Sequence, residues 1–223
     1  MLHEHHLTVE RTARYFTIEA GEAGAREVWF VLHGYGQLAE RFLRPFEALA
    51  DGSRLFVAPE ALARFYLHPE PPPTGAGHIG ASWMTREDRL SEIADNVAYL
   101  DALARHVFRR VERESVLLRV VGFSQGAFAA ARWAAQGTTS VDQLILWGGS
   151  LPPELDPAEA PNLSRLPVLI VWGEQDQYYD AAKVAHDERR LSDAGIPCRV
   201  MTFAGGHQVS REVLKEIAAS RKP

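Results

Sequence analysis

The chain has 223 residues, of which 46% are hydrophobic and 24% are charged, and its formal net charge is -5 at pH 7. A chain this apolar can offset the entropy of ordering by burying side chains, so the composition excludes an intrinsically disordered protein. The single cysteine, Cys198, excludes a disulfide framework within the chain. No basic patch interleaves Lys and Arg with aromatic residues, so nucleic acid is not an expected partner.

The first residues, MLHEHH, contain neither a basic start nor a long apolar run, so no secretory signal is expected. The apolar runs of the chain are far shorter than the ~18 residues that a membrane span requires. We therefore expect no membrane span and a cytoplasmic protein. His3, His5 and His6 are expected to be solvated, since terminal histidines without positioned partners seldom bind a metal. No repeat or break in composition marks a second domain, so residues 1–223 are expected to form one domain.

Short apolar runs alternate with longer amphipathic stretches along the chain. Several runs are apolar at nearly every position, which is typical of strands buried on both faces of a parallel sheet. We expect strands at residues 15–19, 28–32, 55–58, 116–122, 144–147, 168–172 and 199–203, and helices at 38–50, 87–112, 125–136, 180–194 and 209–220. This alternation predicts an open α/β sheet, mostly parallel, with helices on both faces.

Capping residues and prolines refine the boundaries of these elements. Thr85 precedes Asp88 by three residues, which is the spacing of a capping box at the start of the second helix. Gly137 follows the third helix and is a plausible helix stop. Two proline-rich segments, residues 67–81 and 151–167, are expected to be loops. Each is either an ordinary surface loop or a border of an active-site mouth, because function concentrates on loops over a rigid sheet.

Residues 122–126 read G-F-S-Q-G, which fits the pattern G-x-S-x-G between a predicted strand and an alanine-rich helix. That context is typical of a nucleophile elbow, a strained turn that exposes the serine hydroxyl at the edge of the sheet. Side chains two residues before and after the serine would collide with the backbone, so both positions are glycine. The turn places Ser124 at a helix N-terminus, where N–H groups and the helix dipole favour a developing anion. We therefore predict that Ser124 is a nucleophile.

A serine hydroxyl is a poor nucleophile at neutral pH and needs an adjacent base. In hydrolases with this elbow, the acid and then the base follow the serine along the chain. Of the nine histidines, only His186 and His207 follow Ser124. His186 lies among charged residues of a predicted helix and is expected to be an exposed helical side chain. His207 follows two glycines after the last predicted strand, so we predict that it is the general base.

The acid is expected on the loop that follows the strand at residues 168–172. Asp176 lies on that loop and is predicted to orient the imidazole and to stabilise the imidazolium. Glu174 and Asp180 are the alternatives. Glu174 is close to the strand end, where its reach is shorter, and Asp180 has the position of an N-cap for the next helix.

A tetrahedral intermediate needs two N–H donors for its oxyanion. One is expected from the backbone of Gln125, directly after the nucleophile. The other is expected from the backbone of Tyr35, because the glycine-containing loop after the strand at residues 28–32 can approach a substrate carbonyl closely. His33 in the same loop is expected to have a structural role.

The segments V-L-H-G-Y-G at 31–36, G-F-S-Q-G at 122–126, G-E-Q-D at 173–176 and G-G-H at 205–207 appear in this order. Together they resemble the phospholipase/carboxylesterase family of α/β-hydrolases, which includes acyl-protein thioesterases. The resemblance implies an α/β-hydrolase fold without a large cap domain, hydrolysis of esters or thioesters, and no cofactor. It implies Ser124, Asp176 and His207 as a triad, with Tyr35 and Gln125 at the oxyanion hole.

Two segments depart from the family's pattern. Residues 177–179, Q-Y-Y, stand where the family often has Val-Pro, and residues 83–85, W-M-T, stand where it often has Trp-Phe-Asp. Both segments are expected to grip the substrate, so the departures concern substrate identity rather than chemistry. Residues on loops near the catalytic end of the sheet are the expected pocket, beside Tyr35: Phe65, Tyr66, Trp83, Met84, Leu151, Tyr178 and Tyr179.

These observations predict a serine hydrolase that cleaves carboxylic esters, or thioesters, through an acyl-enzyme at Ser124. The expected partner is a small-molecule ester or thioester, without a metal, and the sequence is compatible with a monomer or a homodimer. A serine peptidase on the same scaffold uses the same triad and stays an alternative. A non-catalytic binding module is disfavoured because all three triad positions are filled. Dienelactone-type hydrolases usually have cysteine at the elbow, which the serine here argues against.

Overall fold

A seven-stranded sheet forms the centre of the computed structural model, which describes residues 1–22, 24–67 and 78–220. The strands are β1 (Tyr15–Ile18), β2 (Glu27–Leu32), β3 (Arg54–Pro59), β4 (Ala63–Tyr66), β5 (Ile79–Ser82), β6 (Leu117–Phe123), β7 (Gln143–Trp147), β8 (Val168–Gly173) and β9 (Cys198–Phe203). The sheet has the order β1-β3-β2-β6-β7-β8-β9, and β4 and β5 form a separate antiparallel pair. Within the sheet only β1 pairs antiparallel, so the predicted mostly parallel sheet is confirmed.

Helices cover both faces of this sheet, as the sequence predicts. They are α1 (Ala39–Leu43), α2 (Arg89–Val107), α3 (Gln125–Gln136), α4 (Ala181–Asp193) and α5 (Arg211–Ala219). Along β2, Val28 and Phe30 belong to the core cluster that contains buried side chains of α2, α3 and α4, whereas Trp29 and Val31 belong to the cluster that contains those of α1 and α5. Alternate side chains of a strand point to opposite faces, so a strand that is apolar at every position requires helices on both sides.

The structure corrects the predicted extent of the first helix and the predicted cap of the second. The predicted helix 38–50 is divided into α1 and a 3-10 helix, Arg44–Leu49, because Pro45 has no N–H to continue the α-helical bonding. The predicted capping box at Thr85 and Asp88 is wrong. Asp88 has a φ of 43° and no side-chain cap bond, and the backbone N–H of Thr85 donates to Glu92 instead.

The two predicted loops differ in what the structure places there. Residues 151–167 contain two short 3-10 turns, and Leu155 and Leu163 in this segment are buried in the core. The segment therefore packs onto the helices. Of the predicted loop 67–81, residues 68–77 lie outside the described residues, and 79–81 belong to β5. The strand pair β4–β5 was not expected from the sequence. No helix in the described part of the chain is both long and apolar enough to cross a membrane.

Candidate active site

The elbow after β6 places Ser124 in a strained conformation at the start of α3. Ser124 has φ 55° and ψ -118°, a region that non-glycine residues seldom adopt and that costs about 1–3 kcal/mol. A Cβ atom added to Gly122 would lie 2.3 Å from the carbonyl oxygen of Gly126. One added to Gly126 would lie 2.3 Å from the carbonyl oxygen of Leu32. The close approach of β2, β6 and α3 therefore requires glycine at both positions of the motif.

The structure brings Ser124, His207 and Asp176 into one chain of hydrogen bonds. The Nε2 atom of His207 is 2.9 Å from Ser124 Oγ, and its Nδ1 atom is 2.7 Å from Asp176 Oδ2. An ionised carboxylate only accepts hydrogen bonds, so Nδ1 is the protonated nitrogen and Nε2 accepts from the serine hydroxyl. The loops after β6, β8 and β9 thus bring a serine hydroxyl, an imidazole and a carboxylate into hydrogen-bonding geometry.

The carboxylate of Asp176 is buried and held by the backbone of its own loop. Its second oxygen, Oδ1, accepts the N–H groups of Tyr178 at 2.8 Å and Tyr179 at 3.0 Å. These bonds satisfy the buried carboxylate and fix its orientation towards His207. Asp176 therefore has the structural properties expected of the residue that orients the imidazole.

The alternatives to this assignment lie elsewhere. Asp180 accepts the N–H of Lys183 at 3.0 Å and caps α4, as its position predicts. The side chain of Glu174 is exposed, and His186 is exposed on α4. The structure does not bring these three side chains to Ser124.

The loop that carries His207 is fixed by neighbouring strand ends. The N–H of Gln175 donates to the carbonyl oxygen of Gly205 at 2.9 Å, and the indole N–H of Trp147 donates to that of Gln208 at 3.0 Å. The imidazole also contacts two aromatic rings, Phe123 and Tyr178, with centroid separations of 4.8 and 4.9 Å. These contacts restrict the ring in the orientation that the two hydrogen bonds need.

Two glycines that follow β7 belong to the site and were missed by sequence reasoning. A Cβ atom on Gly149 would lie 2.5 Å from the carbonyl oxygen of Ser124. Gly148 has a φ of +57°, and a Cβ atom there would lie 3.2 Å from both Asp176 Oδ2 and His207 Nδ1. The signal was available, because adjacent glycines directly after a buried strand indicate a close approach at the carboxyl edge of the sheet.

The loop after β2 passes beside Ser124. A Cβ atom on Gly34 would lie 3.2 Å from Ser124 Cβ, and the N–H of Gly34 donates to Gln37 Oε1 at 2.8 Å. No hydrogen bond to the N–H of Tyr35 is formed within the described residues. Gln125 is the first residue of α3, and the first N–H groups of a helix have no partner inside it. The two predicted oxyanion donors therefore belong to residues next to Gly34 and Ser124, and no acceptor for either N–H group is found among the described residues.

His33 is fully buried and holds the start of this loop. Its Nε2 atom accepts the N–H of Ala61 at 3.1 Å, so its Nδ1–H donates to the carbonyl oxygen of Gly34 at 2.8 Å. Burial lowers the pKa of His33 to about 4, so its imidazole is neutral near pH 7. These contacts give the ring a structural function.

The side chain of Gln125 has a function that sequence reasoning missed. Its Oε1 atom accepts the N–H of Trp83 at 2.9 Å, and its Nε2 atom donates to the carbonyl oxygen of Met84 at 2.8 Å. The residue that follows Ser124 thus pairs with the backbone that follows β5. A glutamine offers an acceptor and a donor on one planar group, which this pairing requires.

The predicted pocket residues divide into surface and core. Tyr35, Tyr66 and Tyr178 are exposed, and Phe65 and Met84 are half-buried. Trp83, Leu151 and Tyr179, which were also predicted to line the pocket, are buried, with at most 2% of each exposed. They are apolar or amphipathic side chains that pack in the core.

Each of two buried aromatic residues has a polar partner inside the protein. The indole N–H of Trp83 donates to the carbonyl oxygen of His33 at 2.8 Å, and the hydroxyl of Tyr179 donates to Asp187 Oδ2 at 2.9 Å. Burial, and then the charge of Asp187, raise the pKa of Tyr179. Such partners make complete burial of these rings possible.

Two further features lie apart from the triad. A cavity of about 220 Å³ is lined by residues at the amino ends of β8 and β9 and by α5, on the edge of the sheet opposite to Ser124. The side chain of His6 is exposed, as expected, and its Nε2 atom lies 3.4 Å from Glu4 and 3.2 Å from Asp88. All three side chains are exposed, and exposed groups of this kind are common in proteins without a bound ion.

Comparisons with known proteins also identify the chain as similar to esterases. A family model described as phospholipase/carboxylesterase matches residues 13–221. No curated protein matches the chain significantly. The esterase PE8 is 24% identical with a TM-score of 0.72, over 94% of this chain and 97% of that one.

Two other solved structures are similar over comparable lengths. A carboxylesterase from Mesorhizobium loti is 19% identical with a TM-score of 0.71, over 93% of this chain and 94% of that one. Acyl-protein thioesterase 2 from Zea mays is 18% identical with a TM-score of 0.70, over 93% and 96%. With the match to the family model, these structures confirm the predicted α/β-hydrolase fold. In the described part of the chain, the helices pack on the faces of the sheet and none forms a large cap.

Proposed function

Since the chain belongs to the phospholipase/carboxylesterase family and is a serine hydrolase of esters or thioesters, we propose that Ser124, His207 and Asp176 are its catalytic triad. The observation that carries this proposal is the hydrogen-bonded chain from Ser124 Oγ through the imidazole to Asp176 Oδ2, with separations of 2.9 and 2.7 Å. Those distances are within the range that proton transfer requires. We include in the proposal that the chain acts as a single domain.

In the first half of the reaction, Ser124 Oγ attacks the acyl carbon of the substrate. His207 Nε2 takes the hydroxyl proton, a bond forms between Oγ and the acyl carbon, and the carbonyl oxygen becomes an oxyanion. When the oxyanion collapses, the bond between the acyl carbon and the leaving oxygen or sulfur breaks. His207 gives the proton to that leaving atom, and the product alcohol or thiol departs.

In the second half, water repeats the attack on the acyl-enzyme. His207 Nε2 takes a proton from the water as its oxygen bonds to the acyl carbon. The bond to Ser124 Oγ then breaks, and the proton returns to the serine. Asp176 stabilises the imidazolium in both halves without taking the proton itself.

We assign the oxyanion hole to the N–H groups of Tyr35 and Gln125. Gln125 directly follows Ser124 in the chain, and Tyr35 directly follows Gly34, which lies against the Ser124 side chain. At the position of Gln125, α3 adds the positive end of its dipole. Backbone donors on fixed elements need no reorganisation when charge develops, which favours the transition state over the substrate.

We propose a small carboxylic ester as the substrate, with thioesters as a second class cleaved by the same steps. Exposed or half-buried aromatic side chains near the site, Tyr35, Phe65, Tyr66 and Tyr178, offer apolar surface to such a substrate. We also propose a cytoplasmic location, because the free thiol of Cys198 suits a reducing compartment.

Hydrolysis of p-nitrophenyl acetate tests this function directly. The wild-type protein is expected to turn over the ester and to be labelled by a fluorophosphonate, whereas the Ser124→Ala variant is expected to do neither. Unchanged hydrolysis in the variant would show that Ser124 is not the nucleophile. A folded wild-type protein without turnover or label would identify a binding module, and cleavage of peptides in preference to esters would identify a peptidase.

A further inference from the structure

Tyr178 lies on the loop that carries Asp176, and its backbone is fixed on both sides. Its N–H donates to Asp176 Oδ1 at 2.8 Å, and its carbonyl oxygen accepts from Lys183 Nζ at 2.6 Å. The position of the Tyr178 ring is therefore coupled to the position of the proposed catalytic acid.

The ring of Tyr178 contacts the imidazole of His207 and still presents a free surface. The two centroids are 4.9 Å apart with an interplanar angle of 68°, and Tyr178 is 62% exposed. Phe123 contacts the same imidazole but is only 5% exposed. Of the two rings in contact with His207 in the described structure, Tyr178 is thus the one that a substrate can reach.

The chemistry of the acylation step determines which part of a substrate comes close to this ring. The nitrogen that removes the serine proton, His207 Nε2, is also the atom that must donate it to the leaving oxygen. The leaving alcohol must therefore lie beside the imidazole. Tyr35 contacts Phe65 with a centroid separation of 5.2 Å and lies on the loop of the proposed oxyanion hole, and it makes no ring contact with His207 among the described residues.

We propose that Tyr178 forms a leaving-group subsite that selects esters of aromatic alcohols. This inference rests on the proposed function, because it needs His207 as the group that protonates the leaving oxygen. An exposed ring beside the imidazole can pack edge-to-face or offset against an aromatic leaving group, an arrangement that aromatic pairs prefer at centroid separations of about 4.5–7 Å.

Two acetates that share an acyl group test the subsite. Benzyl acetate and cyclohexylmethyl acetate have leaving groups of similar size, but only the first is aromatic. We expect the wild-type ratio of their kcat/KM values to favour benzyl acetate by about 3- to 10-fold, the range that the energies of aromatic pairs imply. In Tyr178→Ala the ratio is expected to fall close to one, and in Tyr178→Phe it is expected to stay near the wild-type value.

Deacylation gives a control within the same experiment, because both esters form the same acetyl-enzyme. A change in the ratio of kcat/KM values therefore reports only the leaving group. A Tyr178→Ala variant that loses the same factor on both esters would overturn the subsite and leave Tyr178 as a positioning residue for His207. A wild-type ratio near one would also overturn it. Either result requires hydrolysis of both esters, which distinguishes it from a failure of the proposed function, where wild type hydrolyses neither or Ser124→Ala hydrolyses both.

Discussion

The two sides of Ser124 are held in place by different kinds of contact. We call the loops after β7, β8 and β9 the acid–base side, and residues 33–37 with the strand pair β4–β5 the oxyanion side. On the acid–base side, neighbouring strand ends bond to one another, as in the 2.8 Å bond from the N–H of Gly148 to the carbonyl oxygen of Val171. On the oxyanion side, the N–H of Gly36 donates to the carbonyl oxygen of Ala81 at 2.9 Å, which lies outside the sheet.

This difference shows which parts of the site follow from sheet topology alone. The carboxyl ends of parallel strands lie at one edge of the sheet, so residues that follow neighbouring strands are close to one another. The position of the oxyanion side does not follow from the order of the parallel strands. Its geometry depends on where β5 packs and on the side chain of Gln125, which joins the two segments.

The acid–base side has the largest expected response to a single substitution. Asp176→Asn keeps the size of the side chain but removes the charge that stabilises the imidazolium, and its amide can hold the wrong tautomer of His207. We expect kcat for p-nitrophenyl acetate to fall on the order of 10⁴-fold. Asp180→Asn, which changes the cap of α4, is the matched control and is expected to retain kcat. Near-wild-type turnover by Asp176→Asn would move the acid to another residue.

On the oxyanion side, His33 is expected to make the stability of the protein depend on pH. The pKa of His33 is lowered to about 4 in the folded protein because the ring is buried. The unfolded chain therefore binds a proton at a higher pH than the folded one, so stability falls as the pH is lowered from about 6.5 to about 4. The loss attributable to this ring is about 3 kcal/mol over that interval.

Urea unfolding of the wild type and of His33→Gln at pH 7 and pH 4.5 measures this loss. The variant is expected to be less stable at pH 7 and to lose less stability on acidification. His186→Gln, at an exposed position of α4, is the control that should follow the wild type. Parallel pH dependences for wild type and His33→Gln would show that the folded protein accommodates a charged ring at this position.

The same contrast explains what could be predicted from the sequence. The alternation of apolar runs and helical patterns specifies the parallel sheet, and the positions of Ser124, Asp176 and His207 at strand ends then follow. Strand β5 was missed because its residues, I-G-A-S, lack the run of β-branched and aromatic side chains that indicates a strand. The burial of Trp83 and Tyr179 was missed because it depends on partners distant in sequence, His33 and Asp187.

The hydrogen bonds between the Gln125 side chain and residues 83 and 84 can be removed while every proposed catalytic group is kept. Gln125→Ala retains the backbone N–H of residue 125 but leaves the N–H of Trp83 without its acceptor, whereas the carbonyl oxygen of Met84 keeps the hydrogen bond from Ser82 Oγ. We expect a loss of about 2 kcal/mol in the free energy of unfolding, since unpaired buried groups cost about 1–3 kcal/mol each and part of this segment reaches water. Chemical denaturation measures it.

The activity of the same variant sharpens the comparison. A moderate fall in kcat for p-nitrophenyl acetate is expected, because the oxyanion donors stay in place but lose a support. Gln136→Ala, at the other end of α3, is the matched control for removal of a glutamine side chain. Equal stability of the Gln125→Ala and Gln136→Ala variants would show that the pairing of Gln125 with residues 83 and 84 contributes nothing.

The smallest expected effect concerns a hydroxyl group that supports the acid–base side. Tyr179 donates its N–H to Asp176 Oδ1 and its hydroxyl to Asp187 Oδ2, so α4 is tied to the acid loop through one residue. Tyr179→Phe keeps the backbone bond and removes only the hydroxyl, and Asp187 keeps the N–H of Leu151 and the side chain of Arg190 as partners. A hydrogen bond to a charged group contributes about 1.5–3 kcal/mol, and Asp187 keeps two other donors. We therefore expect a loss of about 1–2 kcal/mol in the free energy of unfolding, with kcat within about threefold of wild type. A loss of kcat by a hundredfold or more, with stability unchanged, would show instead that the acid–base side depends on a distant side chain as strongly as the oxyanion side does.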